Sequence, residues 1–312
     1  MTRGKILVTG ASGFVGAAVL ARLRHDGRTA VGVSRRDTPG CARGPALEAD
    51  GDWSALLEGV DTIVHAAARV HVMRDHAQDP LQAFRAVNVD GSVNLARQAA
   101  LAGAGRFIFL SSVKVLGEAT AAGRPFTRQD GPAPEDAYAL SKAEAEDRLR
   151  ALAADTGMAV SIIRPPLVYG PGVKANFRAL MRMLERGVPL PLGAITQNRR
   201  SLVGLDNLVD LIITCIDDPA AANETFLVSD GEDLSTTALL QKLAKAMGVP
   251  SRLLPVPAWV LTGAAALAGR RRLAQRLCGN LQVDLSHTRA RLNWRPPVGV
   301  DEGLRRAAGR AQ

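Results

Sequence analysis

KILVTGASGFVG, residues Lys5–Gly16, sets the architecture of the chain. Ile6, Leu7, Val8 and Thr9 are apolar or β-branched and predict a short buried strand. The chain then turns at once through Gly10, Gly13 and Gly16 into an Ala- and Leu-rich helix, predicted over Ala17–Arg24. A strand, a glycine turn and a helix N-terminus in that order aim backbone N–H groups at an anion. Gly10 permits the tight turn, Gly13 a close approach of a pyrophosphate, and Gly16 close packing of helix on strand. Glycine spacing alone is a weak signal, but between a strand and a helix it points to a dinucleotide. Gly10, Gly13, Phe14, Val15 and Gly16 are therefore assigned to cofactor binding.

Outward from this unit, Thr29–Ser34 (TAVGVS) reads as a second strand whose end selects the coenzyme. An acidic residue there would bind the ribose 2′-hydroxyl of NAD, whereas an Arg accommodates the 2′-phosphate of NADP. The strand ends Ser34-Arg35-Arg36, a hydroxyl and two guanidiniums suited to a phosphate. NADP(H) is the favoured coenzyme and NAD(H), through Asp37 on the ribose, the alternative. After a weak strand at Ala46–Ala49, Asp50 is placed at the adenine; it or Asp52 could equally cap the helix that begins near Trp53. Asp61–Ala66 is another buried strand. The small residues Ala66, Ala67 and Ala68 at its carboxyl end leave room for a cofactor. His65 and His71 have no acidic or Cys partner at ligand spacing, so no metal site is expected.

A long amphipathic helix is predicted from Pro80 to Ala102, with Asn88 as a buried polar group in need of partners. Arg106–Ser111 is the next strand and delivers Ser111 and Ser112 to the edge where open parallel sheets bind ligands. The helix Ala137–Ala154 follows a Gly-, Pro- and acid-rich loop over residues 117–136. It carries Tyr138 and Lys142 at i and i+4, on one face. Val160–Arg164 is a further strand and leads into Pro165. Strand and helix alternate up to this point, which predicts an α/β fold, a Rossmann-type doubly wound parallel sheet. Residues 1–170 are assigned to a dinucleotide-binding domain to which 200–230 return, with Thr225–Val228 as a late strand. Residues 171–199 and 231–312 are assigned to a smaller, mostly helical substrate domain.

The chain has 39 Lys and Arg against 30 Asp and Glu, a formal charge of +9. The cations are spread along the sequence and aromatics make up only 4%, so a nucleic-acid partner is not expected. Cys41, Cys215 and Cys278 are widely spaced, as in a reducing compartment. No apolar signal segment precedes the first strand, and a cytoplasmic protein is expected. The longest apolar run, Trp259–Gly269, is too short to span a bilayer. Because it ends in Arg270-Arg271-Arg272 it could touch an anionic membrane surface; the reading taken is a helix packed on the protein itself.

Further motifs make a family visible: IVHAAA at 63–68, FLSSVKVLG at 109–117, Tyr138-x-x-x-Lys142, RPPLVYGPG at 164–172, RRSLVGLDNLVD at 199–210 and LNW at 292–294. With GASGFVG and Asn88 they make the chain resemble, over essentially its full length, the extended short-chain dehydrogenase/reductase family, more closely its nucleotide-sugar branch. Within that branch it is similar to the UDP-glucose 4-epimerase-like subgroup of surface polysaccharide pathways. HAAARVHVM and SSVKVLGE resemble enzymes that reduce a UDP-4-keto-6-deoxy-N-acetylhexosamine. The resemblance implies an NAD(P)-dependent oxidoreductase acting at C4 of a UDP-hexose: a 4-reductase as the leading reading, a 4-epimerase with tightly bound NAD as the alternative. A dinucleotide-binding protein without catalysis is the remote third reading, and the intact catalytic residues speak against it.

By the same resemblance Tyr138 is the acid/base, its phenol lowered by Lys142 and the oxidised coenzyme. Lys142 also holds the nicotinamide ribose, Ser112 orients the reacting oxygen, and Asn88 and Pro165 join the cofactor site. Asn176 and Phe177 match the uridine end, through side chain and backbone, and Arg199, with Arg200 as its neighbour, matches the diphosphate-binding arginine. Two features depart from the pattern. Leu116 replaces a frequent Tyr, and the second arginine-plus-acid pair does not align between 270 and 280, where Arg272 or Arg276 could substitute. Members of the family often form homodimers through the helices that correspond here to 80–102 and 137–154.

Overall fold

The computed structural model describes residues 4–70 and 79–309, less the side chains of residues 175 and 176. His71 lies outside the described residues. β1 (Lys5–Thr9) is followed by α1 (Phe14–His25), which starts three residues earlier than the apolar pattern predicts because the glycine turn closes at Gly13. β2 (Ala30–Ser34) and β3 (Cys41–Arg43) come next, then the single turn α2 (Ser54–Leu57) and β4 (Val60–His65). The strand expected at Ala46–Ala49 is absent; the edge strand is β3, paired with β2 through Gly32–Cys41. Asp52 accepts bonds from the backbone and hydroxyl of Ser54, so it fills the capping role, and Asp50 is exposed.

The helix predicted over Pro80–Ala102 is three pieces: α3 (Pro80–Arg85), a π-helical turn at Ala86–Gly91, and α4 (Ser92–Leu101). Two residues account for the bulge. Asn88 is buried and binds the backbone of Arg69, and a side chain at Gly91 would fall 2.4 Å from the backbone of Leu47. Wide turns of this kind recur at functional sites.

β5 (Arg106–Leu110), a 3₁₀ turn at Val113–Val115, α5 (Ala137–Thr156) and β6 (Ala159–Arg164) complete the strand–helix alternation. β7 (Leu167–Tyr169) leaves the main sheet and pairs in parallel with β8 (Leu202–Gly204), with α6 (Ala175–Glu185) between them. α7 (Leu205–Asp217) returns the chain to β9 (Thr225–Leu227). The remainder is α8 (Thr236–Met247), α9 (Ala258–Leu267), α10 (Arg271–Cys278), α11 (Ser286–Leu292) and α12 (Val300–Ala307).

Seven parallel strands form the main sheet in the order β3-β2-β1-β4-β5-β6-β9. Parallel strands are buried on both faces, which explains their nearly unbroken apolar runs. One face packs Val8, Ile108 and Ile163 under α1 and α7; the other packs Leu7, Ile63 and Phe107 under α4 and α5. A third cluster, Tyr169, Phe177, Leu240 and Leu304, joins β7, α6, α8 and α12. Phe14 packs on both the first and the third cluster and ties the glycine turn to each.

α9 overturns one expectation. It does not pack its length on the protein, because none of its ten residues is buried. No helix among the described residues is long and apolar enough to cross a membrane.

Gly10 sits at φ +68°, and a Cβ there would lie 2.7 Å from the Ala67 nitrogen and 2.8 Å from the Ala66 carbonyl carbon. A Cβ at Gly16 would meet the Gly10 oxygen at 2.3 Å. Gly10→Ala therefore combines left-handed strain with a backbone clash and should destabilise the fold by at least about 2 kcal/mol. A fall in the urea midpoint checks this; an unchanged midpoint contradicts the close packing of β1 against the end of β4.

Candidate active site

All seven strands run the same way, so the carboxyl ends of β1, β2, β4, β5 and β6 converge on one edge, the place where open sheets bind ligands. The glycine turn lies there. A side chain at Gly13 would meet only the Gly10 oxygen, at 3.0 Å, and is otherwise open to the cleft. Gly13 is also the N-cap of α1 and offers no side chain to bond the first-turn N–H groups. An anionic pyrophosphate fits that vacancy in the hydrogen bonding. Phe14 and Val15 are half-buried at the start of α1, and Ala66, Ala67 and Ala68 are half-buried opposite, small enough to leave the cleft open.

Ser34 is buried; its hydroxyl donates to Ser12 at 3.0 Å and accepts from Thr38 at 3.1 Å. Arg35 and Arg36 are exposed beside it. Asn88 is not available to a ligand directly. Its Nδ2 donates to the Arg69 carbonyl and to Ser141, and its Oδ1 accepts from the Arg69 N–H at 2.8 Å, which fixes the chain after Ala68. Pro165 is buried, and its carbonyl accepts from Val113 at 3.0 Å.

Ser112 caps the 3₁₀ turn after β5 by accepting from the Lys114 N–H, and its hydroxyl is hydrogen-bonded to the Tyr138 phenol. Tyr138 stands in the first turn of α5, held by the Asp136 cap on the Ala139 N–H at 2.7 Å and by edge contact with Phe84. Burial and the Asp136 carboxylate push its phenol up to about 12, while the Ser112 bond opposes them. In the chain by itself, desolvation and a nearby anion outweigh the Ser112 bond; the lowering expected from Lys142 and an oxidised coenzyme concerns the loaded enzyme.

One helical turn on, Lys142 is only 1% exposed, and its Nζ lies 4.0 Å from the centre of the Phe109 ring. Burial pushes its ammonium down to about 7, and Glu146, a further turn along, opposes this. Glu146 is held below the usual carboxylate range. Burial would raise it, but Arg164, Ser111 and Arg150 together win. His65 stacks on the same Phe109 and is bonded by Thr9 and Ser92 at 2.7 and 2.9 Å. Burial first, then the Lys142 charge, push it down to about 3, so it is neutral. The sequence reading considered His65 only as a metal ligand and missed Ser92, Glu146 and Arg164. The i+8 spacing from Tyr138 to Glu146 was the available signal.

Farther out, Arg199 is exposed and donates to the carbonyls of Thr196 and Asn198, both at 3.0 Å. Its neighbour Arg200 turns inward. Burial lowers its guanidinium, as does the like charge of Arg276, and Glu118 opposes both. Glu118 is buried, binds Lys114 at 2.7 Å, and takes Arg276 of α10 at 3.2 Å. Glu118 and Arg276 are thus an acid and an arginine paired from positions far apart in sequence. Phe177 is buried and stacked on Tyr169, so only its backbone, in the first turn of α6, can face a ligand. The side chain of Asn176 lies outside the described residues. Leu116 is buried among Val113, Leu281 and Val283 and faces core rather than cleft. Among the described residues no group of three His, Cys, Asp or Glu could hold a metal ion.

A seven-stranded doubly wound sheet with a glycine turn at its edge, and a Ser–Tyr pair over a buried Lys, define a dinucleotide-dependent enzyme of the extended dehydrogenase/reductase type. The profile of the NAD dependent epimerase/dehydratase family matches residues 6–229, and the chain belongs to that family. It is 49% identical over 308 residues to a Vibrio cholerae protein named UDP-glucose 4-epimerase, covering 97% of this chain and 94% of that one. It is 30% identical to a Mycolicibacterium smegmatis protein of the same name, over 96% of each chain. Among solved structures, UDP-N-acetylglucosamine 4-epimerase from Bacillus cereus superposes with a TM-score of 0.81 at 19% identity, covering 98% of both chains, a likeness of fold.

The buried ammonium has a measurable consequence. Lys142 titrates near 7 when folded and near 10.5 when unfolded, so between those values the unfolded chain binds more protons. Its penalty is therefore full below about pH 7 and is relieved as pH rises. Relative to Lys142→Met, the wild-type chain should gain stability from pH 7 to pH 10 in denaturant titrations. Parallel curves for the two proteins would contradict the burial of the charge.

Proposed function

We propose that the chain interconverts the C4 epimers of a UDP-hexose with a tightly held NAD. The reading is carried by the Ser112–Tyr138 hydroxyl pair beside Lys142, in a chain 49% identical over nearly its whole length to a protein named UDP-glucose 4-epimerase. Residues Gly10, Gly13, Phe14, Val15 and Gly16 hold the pyrophosphate, Ala66, Ala67, Ala68 and Pro165 line the ring side, and Lys142 holds the nicotinamide ribose. A nicotinamide bound there supplies reversible hydride transfer at the sugar C4.

The chain's own residues handle the proton and the orientation. Tyr138 takes the proton of the C4 hydroxyl as that carbon is oxidised and returns it to the oxygen afterwards. Its raised phenol keeps the proton in the resting chain, and the added positive charges of a protonated Lys142 and an oxidised coenzyme bring it within reach of exchange. Ser112 hydrogen-bonds the same oxygen and fixes its direction. Arg200 and Arg276 take the diphosphate, because two cations and Lys114 share Glu118 there and an anion relieves their repulsion. This assignment replaces Arg199 by Arg200. The backbone of Phe177 and residue Asn176 take the uridine end, and residues 171–199 and 231–312 build the substrate side.

A second reading, an NADPH-dependent 4-reductase of a UDP-4-keto-6-deoxy-N-acetylhexosamine, is favoured by one observation: Arg35 and Arg36 stand exposed at the end of β2 beside Ser34. Coenzyme analysis separates the two. Protein purified without added nucleotide and then denatured should release close to one NAD per chain. Release of no nucleotide, with NADPH consumed on addition of a 4-keto sugar, would overturn the epimerase in favour of the reductase.

A further inference from the structure

The face of the molecule carried by α9 and α10 is apolar, basic and uncovered. A helix with nothing buried is normally polar all round. α9 (AWVLTGAAAL) carries no charge, its only hydroxyl, on Thr262, is turned back on the Trp259 carbonyl, and none of its residues is buried. Leu261 gives it a foothold on the core of α8 and α12. On the other side Trp259, Gly263 and Leu267 form one stripe at four-residue spacing. Trp259 is 76% exposed and Leu267 93%; Leu254 and Leu273, in the sequence that flanks the helix, are exposed as well. Scattered apolar residues on a surface need no explanation, but a contiguous patch of them marks a contact.

Charge says what the contact is. From Leu234 through Val283 the chain contains no Asp or Glu and seven Lys or Arg. Arg252, Arg270, Arg271 and Arg272 are all exposed, and among the described residues none of them is in an ion pair. A second copy related by a two-fold axis would set this uncompensated cluster against its own image, which like charge opposes. An anionic lipid surface answers both halves: headgroups for the arginines, and the boundary of the acyl region for Trp259 and Leu267. A tryptophan is suited to that depth. At ten residues α9 lies in the surface rather than crossing it.

We propose that α9 and the Arg270–Arg272 cluster dock the protein on an anionic membrane surface. This goes beyond the sugar chemistry and holds or fails independently of it. Arg276 of α10 reaches Glu118 at the substrate side, so docking places the sugar-diphosphate end of the cleft next to the bilayer.

Flotation of the 312-residue chain with vesicles of phosphatidylglycerol and phosphatidylcholine tests the proposal, with phosphatidylcholine vesicles as control. The chain should float with the anionic vesicles only, and release at high salt. Trp53 and Trp294 are buried, so a blue shift of tryptophan emission on binding reports on Trp259. Trp259→Ser with Leu267→Ser, at unchanged charge, should weaken partitioning by about tenfold or more. Arg270→Gln with Arg271→Gln should do the same, and both variants should keep wild-type turnover of soluble UDP-sugar. Failure to float with anionic vesicles overturns the proposal. So does undiminished flotation of the Trp259→Ser, Leu267→Ser protein, which would leave only general charge attraction. A wild-type dimer that dissociates in that variant, seen by sedimentation, would give the face to a second copy and overturn it too.

Discussion

One ammonium, that of Lys142, is kept out of water, and the catalytic edge is arranged around it. A buried charge is tolerated only where its surroundings favour it. Here the π-face of Phe109 lies 4.0 Å away and the Glu146 carboxylate stands one helical turn on. Glu146 is itself anchored by Arg164 and Ser111, which come from the ends of β6 and β5. The same chain of contacts therefore fixes α5 against two strands. That sets where Tyr138 stands relative to Ser112. His65, stacked on the same Phe109 ring and neutral, adds no competing positive charge.

The dinucleotide turn meets this edge by backbone packing rather than by charge. Gly10 lies against the main chain of Ala66 and Ala67, and Gly16 against Gly10 itself, so no side chain stands between β1, β4 and the start of α1. Asn88 performs the equivalent task with hydrogen bonds, clamping Arg69 to Ser141 across the π-helical turn. Both devices hold cleft-lining main chain in place while leaving the cleft free of bulk.

The fold was legible where local pattern and tertiary role coincide. Apolar runs of five or six residues between glycine turns and helices mark β1, β2, β4, β5 and β6 because parallel strands are buried on both faces. Tyr138 and Lys142 were legible from spacing, and Asn88 from its apolar neighbours. What stayed hidden depends on distant partners. The π-helical turn follows from Gly91 meeting Leu47, and the pairing of Arg276 with Glu118 joins residues 158 apart. The exposure of α9 could not be read, since an apolar helix has the same composition whether it packs inward or outward. The rise of the Tyr138 phenol in the chain by itself could not be read either, because burial and Asp136 set it.

Turnover of the C4 centre of a UDP-hexose at the Ser112–Tyr138–Lys142 edge is the step on which the proposed function stands. Proton NMR of UDP-glucose and UDP-N-acetylglucosamine, incubated with the purified protein and no added coenzyme, tests it most directly. One of them should pass to an equilibrium mixture with its C4 epimer, at a rate lowered about 10²- to 10⁴-fold in Tyr138→Phe. Both sugars remaining unchanged with NAD-loaded protein, or undiminished conversion by Tyr138→Phe, would contradict it.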